Sequence, residues 1–248
     1  TVALEGETVA EQKDCRLKDG HGKAVLEIAD PQLWWPNGMG SQPLYTVTAH
    51  LRDKSGRDLD TTSRRVGLRT LELVRELDEW GESFHFAANG VPFYAKGANW
   101  IPADVFQARV AEEDYRDLLS SAQDAHMNMI RVWGGGIYEE DIFYDICDEL
   151  GLCVWQDFMF ACAAYPAVHD EFLANCREEF IQNVKRIRHH PSLALWCGNN
   201  ELEQGNLMNN DGAGDRMMWR DYCKLFDRLI PSVLEAHDPD RPYWPSSE

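Results

Sequence analysis

Hydrophobic positions in the first 75 residues recur with partial period-two spacing, which is typical of half-buried β-strands. The pattern is carried by KAVLEIAD (23–30), LYTVTAHLRD (44–53) and TTSRRVGLRTLELV (61–74). Turn residues separate these segments, because Pro restricts φ and Asn-Gly supplies positive φ in WWPNGMGSQP. Three or four strands cannot easily bury both of their faces. We therefore predict that residues 1–75 are part of a β-sandwich whose remainder lies outside them.

The pattern changes at about Phe84. FHFAANGVPFYAKG predicts a hairpin around Asn89-Gly90, and its second arm continues to Asn99-Trp100. Short apolar runs then alternate with segments of helical spacing. The predicted strands are NMIRVW, LCVWQDFMF, SLALWCGNN and RPYWPSSE, and the predicted helices cover 112–127, 139–151, 169–191 and 217–237. This alternation predicts parallel strands joined by right-handed crossovers.

Two architectures fit such an alternation, an open doubly wound sheet and a (β/α)8 barrel. A doubly wound sheet needs a Gly-rich phosphate-binding turn after its first strand, and AKGANWIPAD is not one. Polar or aromatic residues at the end of each strand favour a barrel. Because the chain supplies only about five of the eight strands that a barrel requires, we predict an α/β fold, an incomplete TIM barrel over residues 76–248.

Composition limits the classes of ligand and the cellular compartment that we expect for this chain. The net charge of −18 argues against nucleic acid and anionic membranes, but it does not penalise a neutral ligand such as a sugar. No apolar run is long enough to span a membrane, and no signal peptide is visible. The seven scattered cysteines form no disulfide framework. We therefore expect a reducing, cytoplasmic compartment.

The strand LALWC ends in Asn199, Asn200 and Glu201, which allow two interpretations. The three residues could cap the following helix, since Asn is a good N-cap and Glu suits the first turn. Alternatively, Glu201 lies at the mouth of a barrel beside Trp196. Partial desolvation there favours the protonated form of a carboxyl group, as a general acid requires. Asn200 could then bind a substrate hydroxyl.

Tryptophans at strand ends form a second candidate feature, at Trp100, Trp133 and Trp155. Indole rings stack on the apolar C–H face of sugars, so carbohydrate sites are commonly lined by them. Core packing is the alternative, and it carries equal weight for Trp155. Trp133 is followed by three glycines, which let backbone or ligand approach closely and favour a site.

Two charged residues interrupt apolar strands. Asp157 follows LCVW, where a carboxylate is costly unless it is paired or faces a ligand. Arg131 lies inside NMIRVW and requires a carboxylate partner, either Asp157 or a catalytic carboxylate outside this chain. A structural ion pair and a functional one remain equally open.

Metal and nucleophile sites are weakly supported. His189-His190 precede a proline at a helix end, where a solvated C-terminal cap is the simpler interpretation. The standard zinc, calcium and serine-nucleophile motifs are absent from the sequence. Cys197 lies within a strand and is expected to be inert packing. We predict neither a metal site nor a cofactor.

Taken together, the motifs resemble glycoside hydrolase family 2, and within it the β-mannosidase branch. The resemblance spans Leu33 to Ser247 and rests on LWWPNGMGSQPLYTV, DEWGESFHF, FYAKGANWIPAD, NMIRVWGGGIYEEDIFYDICDELGLCVWQDFMFACAAYP, HPSLALWCGNNE and RPYWPSS. It implies that residues 1–75 are the C-terminal part of an immunoglobulin-like sandwich and that residues 76–248 hold strands one to five of the catalytic barrel.

The resemblance also implies roles. Glu201 would be the general acid/base and Asn200 would bind the sugar 2-hydroxyl. The sugar-contacting residues would be Trp100, Trp133 and Asp157, and Arg131 would orient the nucleophile. The implied activity is retaining hydrolysis of terminal β-mannosides on oligosaccharides.

The family's nucleophile follows strand seven, so it is expected to lie outside this chain, and Glu248 is not assigned that role. The 248-residue chain alone is therefore expected to be inactive, and its fold to be marginal because an open barrel edge exposes unpaired strand. Another family 2 specificity (β-galactosidase, β-glucuronidase or exo-β-glucosaminidase) and a non-catalytic carbohydrate-binding protein remain alternatives.

Overall fold

The computed structural model describes residues 1–13, 15, 17–203 and 216–247, with the backbone alone for 216–218. The N-terminal part holds four antiparallel strands: β1 (Val2–Leu4), β2 (Glu7–Ala10), β3 (Tyr45–Arg52) and β4 (Asp58–Val66). Their order in the sheet is β2-β1-β3-β4. Glu5 and Gly6, both with positive φ, connect β1 to β2 in a tight hairpin.

The sequence prediction is wrong for one strand of this sheet and incomplete for two. Residues 23–30, all of them described, form no strand, and the side chain of Val25 is 73% exposed. Alternation alone does not make a strand when no neighbouring strand offers cross-strand contacts. β1 and β2 were not predicted, because their seven residues are too few to display a clear period.

A second antiparallel sheet comprises β5 (Leu71–Val74), β6 (His85–Ala88) and β7 (Val91–Phe93), in that order. The predicted hairpin at Asn89-Gly90 is present, and both residues have positive φ. Because β5 pairs with β6, the predicted domain boundary after residue 75 falls within this sheet.

The third sheet is parallel and carries the predicted strand–helix alternation. Its strands are β8 (Gly97–Trp100), β9 (Met129–Val132), β10 (Cys153–Asp157), β11 (Leu193–Cys197) and β12 (Tyr243–Trp244). The helices are α1 (Glu112–Asp124), α2 (Asp141–Leu150), α3 (Asp170–Ile187), α4 (Arg216–Tyr222) and α5 (Ile230–His237). A 3-10 turn (Gln107–Arg109) precedes α1, and a π-helical segment (Cys223–Leu229) joins α4 to α5.

The strand order in the parallel sheet is β12-β11-β10-β9-β8, so each strand lies beside its successor along the chain. A doubly wound sheet would reverse direction at a switch point. Among the described strands there is no such reversal, which excludes the doubly wound alternative for this part of the chain. No helix in the described ranges combines the length and hydrophobicity needed to cross a bilayer.

Separate hydrophobic clusters cover the two faces of the parallel sheet. The helix side packs side chains such as Ile130, Val154 and Trp196 against α1–α5. The opposite side packs Met129, Cys153 and Leu195 with residues of the second antiparallel sheet, including Leu71, Phe86 and Ala88. That small sheet therefore covers part of the face of the parallel sheet that lies opposite the helices.

At the amino ends of the same strands, a buried histidine contacts a buried aspartate. His190 Nδ1 lies 2.6 Å from Asp148 Oδ2, and the two side chains are 3% and 0% exposed. The backbone N–H of Ser192 donates to the other carboxylate oxygen of Asp148. The predicted solvated cap at His190 is therefore wrong, because the helix end turns inward and the imidazole finds a buried partner.

Candidate active site

The candidate site is built where the parallel strands end. In the register of the sheet, Asn99 on β8 lies beside Arg131 on β9, and Arg131 lies beside Trp155 on β10. Asp157 closes β10 and pairs with Cys197 at the end of β11. Carboxyl ends of adjacent parallel strands meet at one edge of a sheet, so these side chains converge.

Arg131 is the centre of this cluster. Its guanidinium donates from Nε and Nη2 to the two oxygens of Asp157, at 3.3 and 2.8 Å. Nη2 also donates to Asn200 Oδ1 at 2.9 Å, and Nη1 donates to Asn99 Oδ1 at 3.2 Å. The ion pair with Asp157, one of the alternatives open at the sequence level, is present. The side chain of Arg131 is only 11% exposed, and its hydrogen bonds to three side chains fix the orientation of the guanidinium.

Asp157 is fully buried, and each oxygen of its carboxylate accepts two hydrogen bonds. Besides Arg131, the N–H of Gly134 donates to Oδ2 at 3.0 Å and Trp155 Nε1 donates to Oδ1 at 3.1 Å. Burial raises the pKa of Asp157, and Arg131 and the Gly134 N–H counteract part of this rise. The predicted sugar contact by Asp157 is therefore wrong, since its carboxylate has no exposed surface and serves to fix Arg131.

The three polar residues that follow β11 divide between the two interpretations. Asn199 makes a contact typical of a cap, because its Oδ1 accepts the backbone N–H of Leu202, three residues later, and its Nδ2 donates to the carbonyl of Pro245. Asn200 belongs to the cluster, because its Oδ1 accepts from Arg131. Its amide nitrogen faces Cys162 Sγ at 3.4 Å. Capping and site formation therefore both occur, at adjacent positions.

Glu201 extends the cluster toward solvent. Its side chain is exposed, so the partial burial beside Trp196 expected from the sequence is wrong. Trp196 instead points to the helix side, where its indole donates to Asp238. The backbone of Glu201 is fixed, with φ of 61° and an N–H that donates to Ser247 O at 2.8 Å. An exposed carboxyl group on a fixed backbone is accessible to a ligand.

Trp100 does not join the cluster. Its ring packs against Tyr115 and Phe143 in the helix layer, and Nε1 donates to the buried carboxylate of Glu139 at 2.9 Å. The predicted site role of Trp100 is wrong because successive residues of a strand point to opposite faces. Asn99, its exposed neighbour, takes the position beside Arg131. Sequence reasoning missed Asn99, although strand alternation would have indicated it.

Trp133 and Trp155 differ in their surroundings. Trp155 is half-buried against Phe84 and Phe86, which supports the packing alternative. Trp133 follows the end of β9, and its half-buried ring covers Gly135, where an added Cβ would lie 2.0 Å from the ring. The sugar contact predicted for Trp133 stays a prediction.

Two further sequence expectations concern chemistry outside the cluster. Cys197 is fully buried and burial raises the pKa of its thiol, which fits inert packing. Among the described residues, Asp145, Asp148 and His190 bring three potential metal ligands within 4.8 Å of one another. Arg65 already pairs with Asp145, and Asp148 pairs with His190, so internal ion pairs account for this group. Glu248 lies outside the described residues.

The arrangement can bind and protonate an oxygen-rich ligand. Arg131 and Asn200 present fixed polar groups, and Glu201 presents a carboxyl group at the edge of the same cluster. A carboxyl group can donate a proton and later accept one, whereas a buried guanidinium cannot. The cluster therefore suits acid–base chemistry on a hydroxylated substrate.

The chain is similar to known glycoside hydrolases. Residues 2–69 match the family model Glycosyl hydrolases family 2. Over the whole chain, Beta-mannosidase B of Neosartorya fischeri is 40% identical and Beta-mannosidase B of Emericella nidulans is 38% identical. The predicted relationship to the glycosyl hydrolases of family 2 is thereby confirmed. The chain spans 30% of the length of each of these relatives.

Solved structures of family 2 enzymes share the fold. The crystal structure of the β-D-mannosidase from Dictyoglomus thermophilum is 46% identical, with a TM-score of 0.87 over 99% of this chain and 30% of that one. The Bacteroides uniformis β-glucuronidase reaches a TM-score of 0.78 over 98% of this chain and 28% of that chain, at 21% identity, and shows the common fold alone. A β-sandwich portion followed by part of an α/β domain is the architecture that these matches support.

Proposed function

We propose that this chain carries the acid/base half of a retaining exo-β-mannosidase, which removes terminal non-reducing β-D-mannosyl residues from oligosaccharides. The observation that carries the proposal is the Arg131–Asn200–Glu201 arrangement at the edge of a parallel sheet, in a chain 46% identical to a β-D-mannosidase of known structure. The sequential strand order supports the finer fold, in which residues 76–248 hold the first five strands of a (β/α)8 barrel and residues 1–75 are the end of an immunoglobulin-like sandwich.

Glu201 acts as the general acid/base. In the first step its carboxyl proton passes to the glycosidic oxygen, while a carboxylate from outside this chain attacks the anomeric carbon. In the second step the Glu201 carboxylate takes a proton from the water that hydrolyses the glycosyl-enzyme. A retaining pair of this kind has its carboxyl groups about 5–5.5 Å apart.

The residues around Glu201 position the sugar. Arg131 occupies the acceptor oxygen of Asn200 and Cys162 faces its nitrogen, so the amide of Asn200 presents its remaining N–H to a sugar hydroxyl. Asp157 holds Arg131 in place and does not touch the substrate. Arg131 also orients the nucleophile, and Trp133 contributes an indole face for stacking.

A leaving-group comparison tests the proposal. The full-length protein is expected to hydrolyse phenyl and 2,4-dinitrophenyl β-D-mannosides, with release of β-mannose as the first anomer seen by proton NMR. Glu201→Ala should lower kcat/KM on the phenyl glycoside by roughly 10²–10⁴-fold. The first step on the dinitrophenyl glycoside should be much less affected, because that leaving group needs no protonation.

Substrate panels separate the proposal from its rivals. Preference for aryl β-galactosides, β-glucuronides or β-glucosaminides over the mannoside would favour another family 2 specificity. Mannoside binding without turnover would favour a carbohydrate-binding protein. An unchanged rate of phenyl mannoside hydrolysis in Glu201→Ala would show that the acid/base assignment is wrong.

A further inference from the structure

Cys162 lies directly beside the proposed acid/base. Its Sγ is 3.4 Å from Glu201 Oε2 and 3.4 Å from Asn200 Nδ2. Cys162 and Glu201 both adopt positive φ, at 51° and 61°. This conformation is uncommon for residues other than glycine, and it fixes the direction in which each side chain leaves the backbone. The thiol thus bridges the two residues to which the proposed mechanism assigns protonation and sugar binding.

The backbone fixes this bridge. The N–H of Cys162 donates to the carbonyl of Asn200 at 3.1 Å, and the N–H of Asn200 donates to the carbonyl of Phe160 at 2.9 Å. These two bonds join the segment after β10 to the segment after β11. The position of the thiol relative to Glu201 is therefore set by main-chain hydrogen bonds on both sides.

We propose that Cys162 is a positioning residue for Glu201: its S–H donates to Glu201 Oε2, and its sulfur accepts an N–H of Asn200. The inference rests on the proposed function. A donor at Oε2 leaves Oε1 as the oxygen that carries the transferable proton, so the thiol selects which oxygen faces the glycosidic bond. The thiol must remain protonated to do this. Desolvation and the hydrogen bond to Glu201 raise the pKa of Cys162, which keeps it in that form.

Other cysteines differ from Cys162 in their surroundings. Cys153 and Cys197 are buried strand residues, and burial raises the pKa of Cys153 to about 12. Cys15 is exposed like Cys162, but its thiol faces the carbonyl of Lys23 in the N-terminal part of the chain. Cys15 is therefore a matched internal control for the reactivity of an exposed thiol.

The first experiment measures the contact independently of catalysis. Alkylation by iodoacetamide is followed by mass spectrometry at Cys162 and Cys15 in the full-length protein, for the wild type and Glu201→Ala. Removal of the carboxylate takes away a hydrogen bond and a negative charge that raise the pKa of Cys162, so alkylation at pH 8 should become severalfold faster. The rate at Cys15 should not change. An equal rate at Cys162 in both proteins would overturn the proposal.

The second experiment measures the effect on the reaction. Cys162→Ala should lower kcat/KM on the phenyl β-mannoside by roughly threefold to tenfold, as expected for the loss of one weak hydrogen bond. The loss on the dinitrophenyl glycoside should be smaller, and Cys162→Ser should restore the ratio because a hydroxyl also donates. Equal losses on both substrates, or no loss, would overturn the positioning role.

The two experiments separate the inference from the proposed function. If the wild type cleaves neither mannoside, the proposed function fails, and the alkylation rates still decide whether the thiol engages Glu201. If Cys162→Ala does not fold, the serine variant and the alkylation comparison carry the test.

Discussion

Two buried polar networks lie at opposite ends of the same parallel sheet. At the carboxyl ends of the strands, Arg131 pairs with Asp157, and these side chains are 11% and 0% exposed. At the amino ends, His190 pairs with Asp148, and these are 3% and 0% exposed. Both networks contain ionisable side chains at positions where burying an isolated charge would cost free energy.

The networks differ in where their hydrogen bonds lead. Asp148 contacts His190 and the Ser192 N–H, so that both of its carboxylate oxygens are satisfied inside the protein. The hydrogen bonds of Arg131 extend toward the surface, directly to the exposed Asn99 and, through Asn200, toward Glu201. In α/β barrels the carboxyl end carries function and the amino end carries stability. The comparison therefore predicts that one network is needed for activity and the other only for folding.

The largest effect is expected for Arg131→Ala. Removal of the guanidinium leaves Asp157 buried and unpaired, which should cost about 3–5 kcal/mol of stability. It also frees Asn200, so kcat/KM per folded molecule should fall on the order of 10²-fold or more. Thermal unfolding of the full-length protein and kinetics on the phenyl β-mannoside measure the two losses separately.

The double variant Arg131→Met with Asp157→Leu is the matched control. Replacing both partners by apolar residues removes the buried unpaired charge, so much of the stability should return. Activity should remain lost, because Asn200 is still unsupported. If activity returned together with stability, the role of the Arg131 network would be structural and the comparison would fail.

Asp148→Ala should affect stability alone. The change leaves His190 and the Ser192 N–H without their buried acceptor, which should cost about 1–3 kcal/mol. The kcat/KM of the folded fraction should remain within about twofold of the wild type. Asp148→Asn, which keeps one oxygen for the Ser192 N–H, should recover part of the loss. A large fall in kcat/KM at unchanged stability would place Asp148 in the catalytic machinery.

The histidines at the amino ends of the strands should also make the stability of the fold sensitive to acid. His189 stacks on His190 with ring centroids 4.1 Å apart, and desolvation, then the neighbouring His190, lowers the pKa of His189 from 6.5 to about 4. Between these values the unfolded chain binds a proton that the folded chain does not. The contribution of His189 is therefore complete above pH 6.5 and is lost as the pH falls toward 4.

His189→Gln tests this dependence by difference. The melting temperature of the wild type should fall more steeply between pH 6.5 and 4 than that of the variant, and the two curves should run parallel above pH 7. Parallel curves throughout the acid range would show that His189 does not titrate differently in the folded protein.

Local sequence signals located most elements of the α/β part of the fold, but not the separation of β7 from β8 or the π-helical segment between α4 and α5. Helical spacing located α1, α2 and α3, short apolar runs located β9–β11, and Asn89-Gly90 located the hairpin. The N-terminal sheet was predicted less completely. Whether residues 23–30 form a strand depends on the presence of neighbouring strands, which the hydrophobic pattern does not reveal. Sheet partners are set by long-range packing, and local alternation reports them weakly.

For the candidate site, the sequence indicated which polar residues come together more fully than it indicated the direction of their side chains. Arg131 and Asn200 were found as anomalies at strand ends, and the structure joins them. The sequence did not indicate in which direction each of these side chains points. Asp157 was assigned to the sugar and instead anchors Arg131, and Glu201 is exposed where burial was expected. Whether a polar residue faces ligand, solvent or another side chain depends on contacts across strands.

The smallest effects are expected at Asn99 and Trp100, and they test side-chain direction most sharply. Trp100→Phe keeps the ring against Tyr115 and Phe143 but removes the hydrogen bond to Glu139, so stability should fall by about 1–2 kcal/mol with KM and kcat unchanged. Asn99→Ala should do the reverse. It removes one acceptor from Arg131 at an exposed position, so melting should change little while kcat/KM falls roughly threefold to tenfold. A larger kinetic effect from Trp100→Phe than from Asn99→Ala would contradict the assignment of opposite faces, and with it the boundary drawn between the functional and the structural side of this strand.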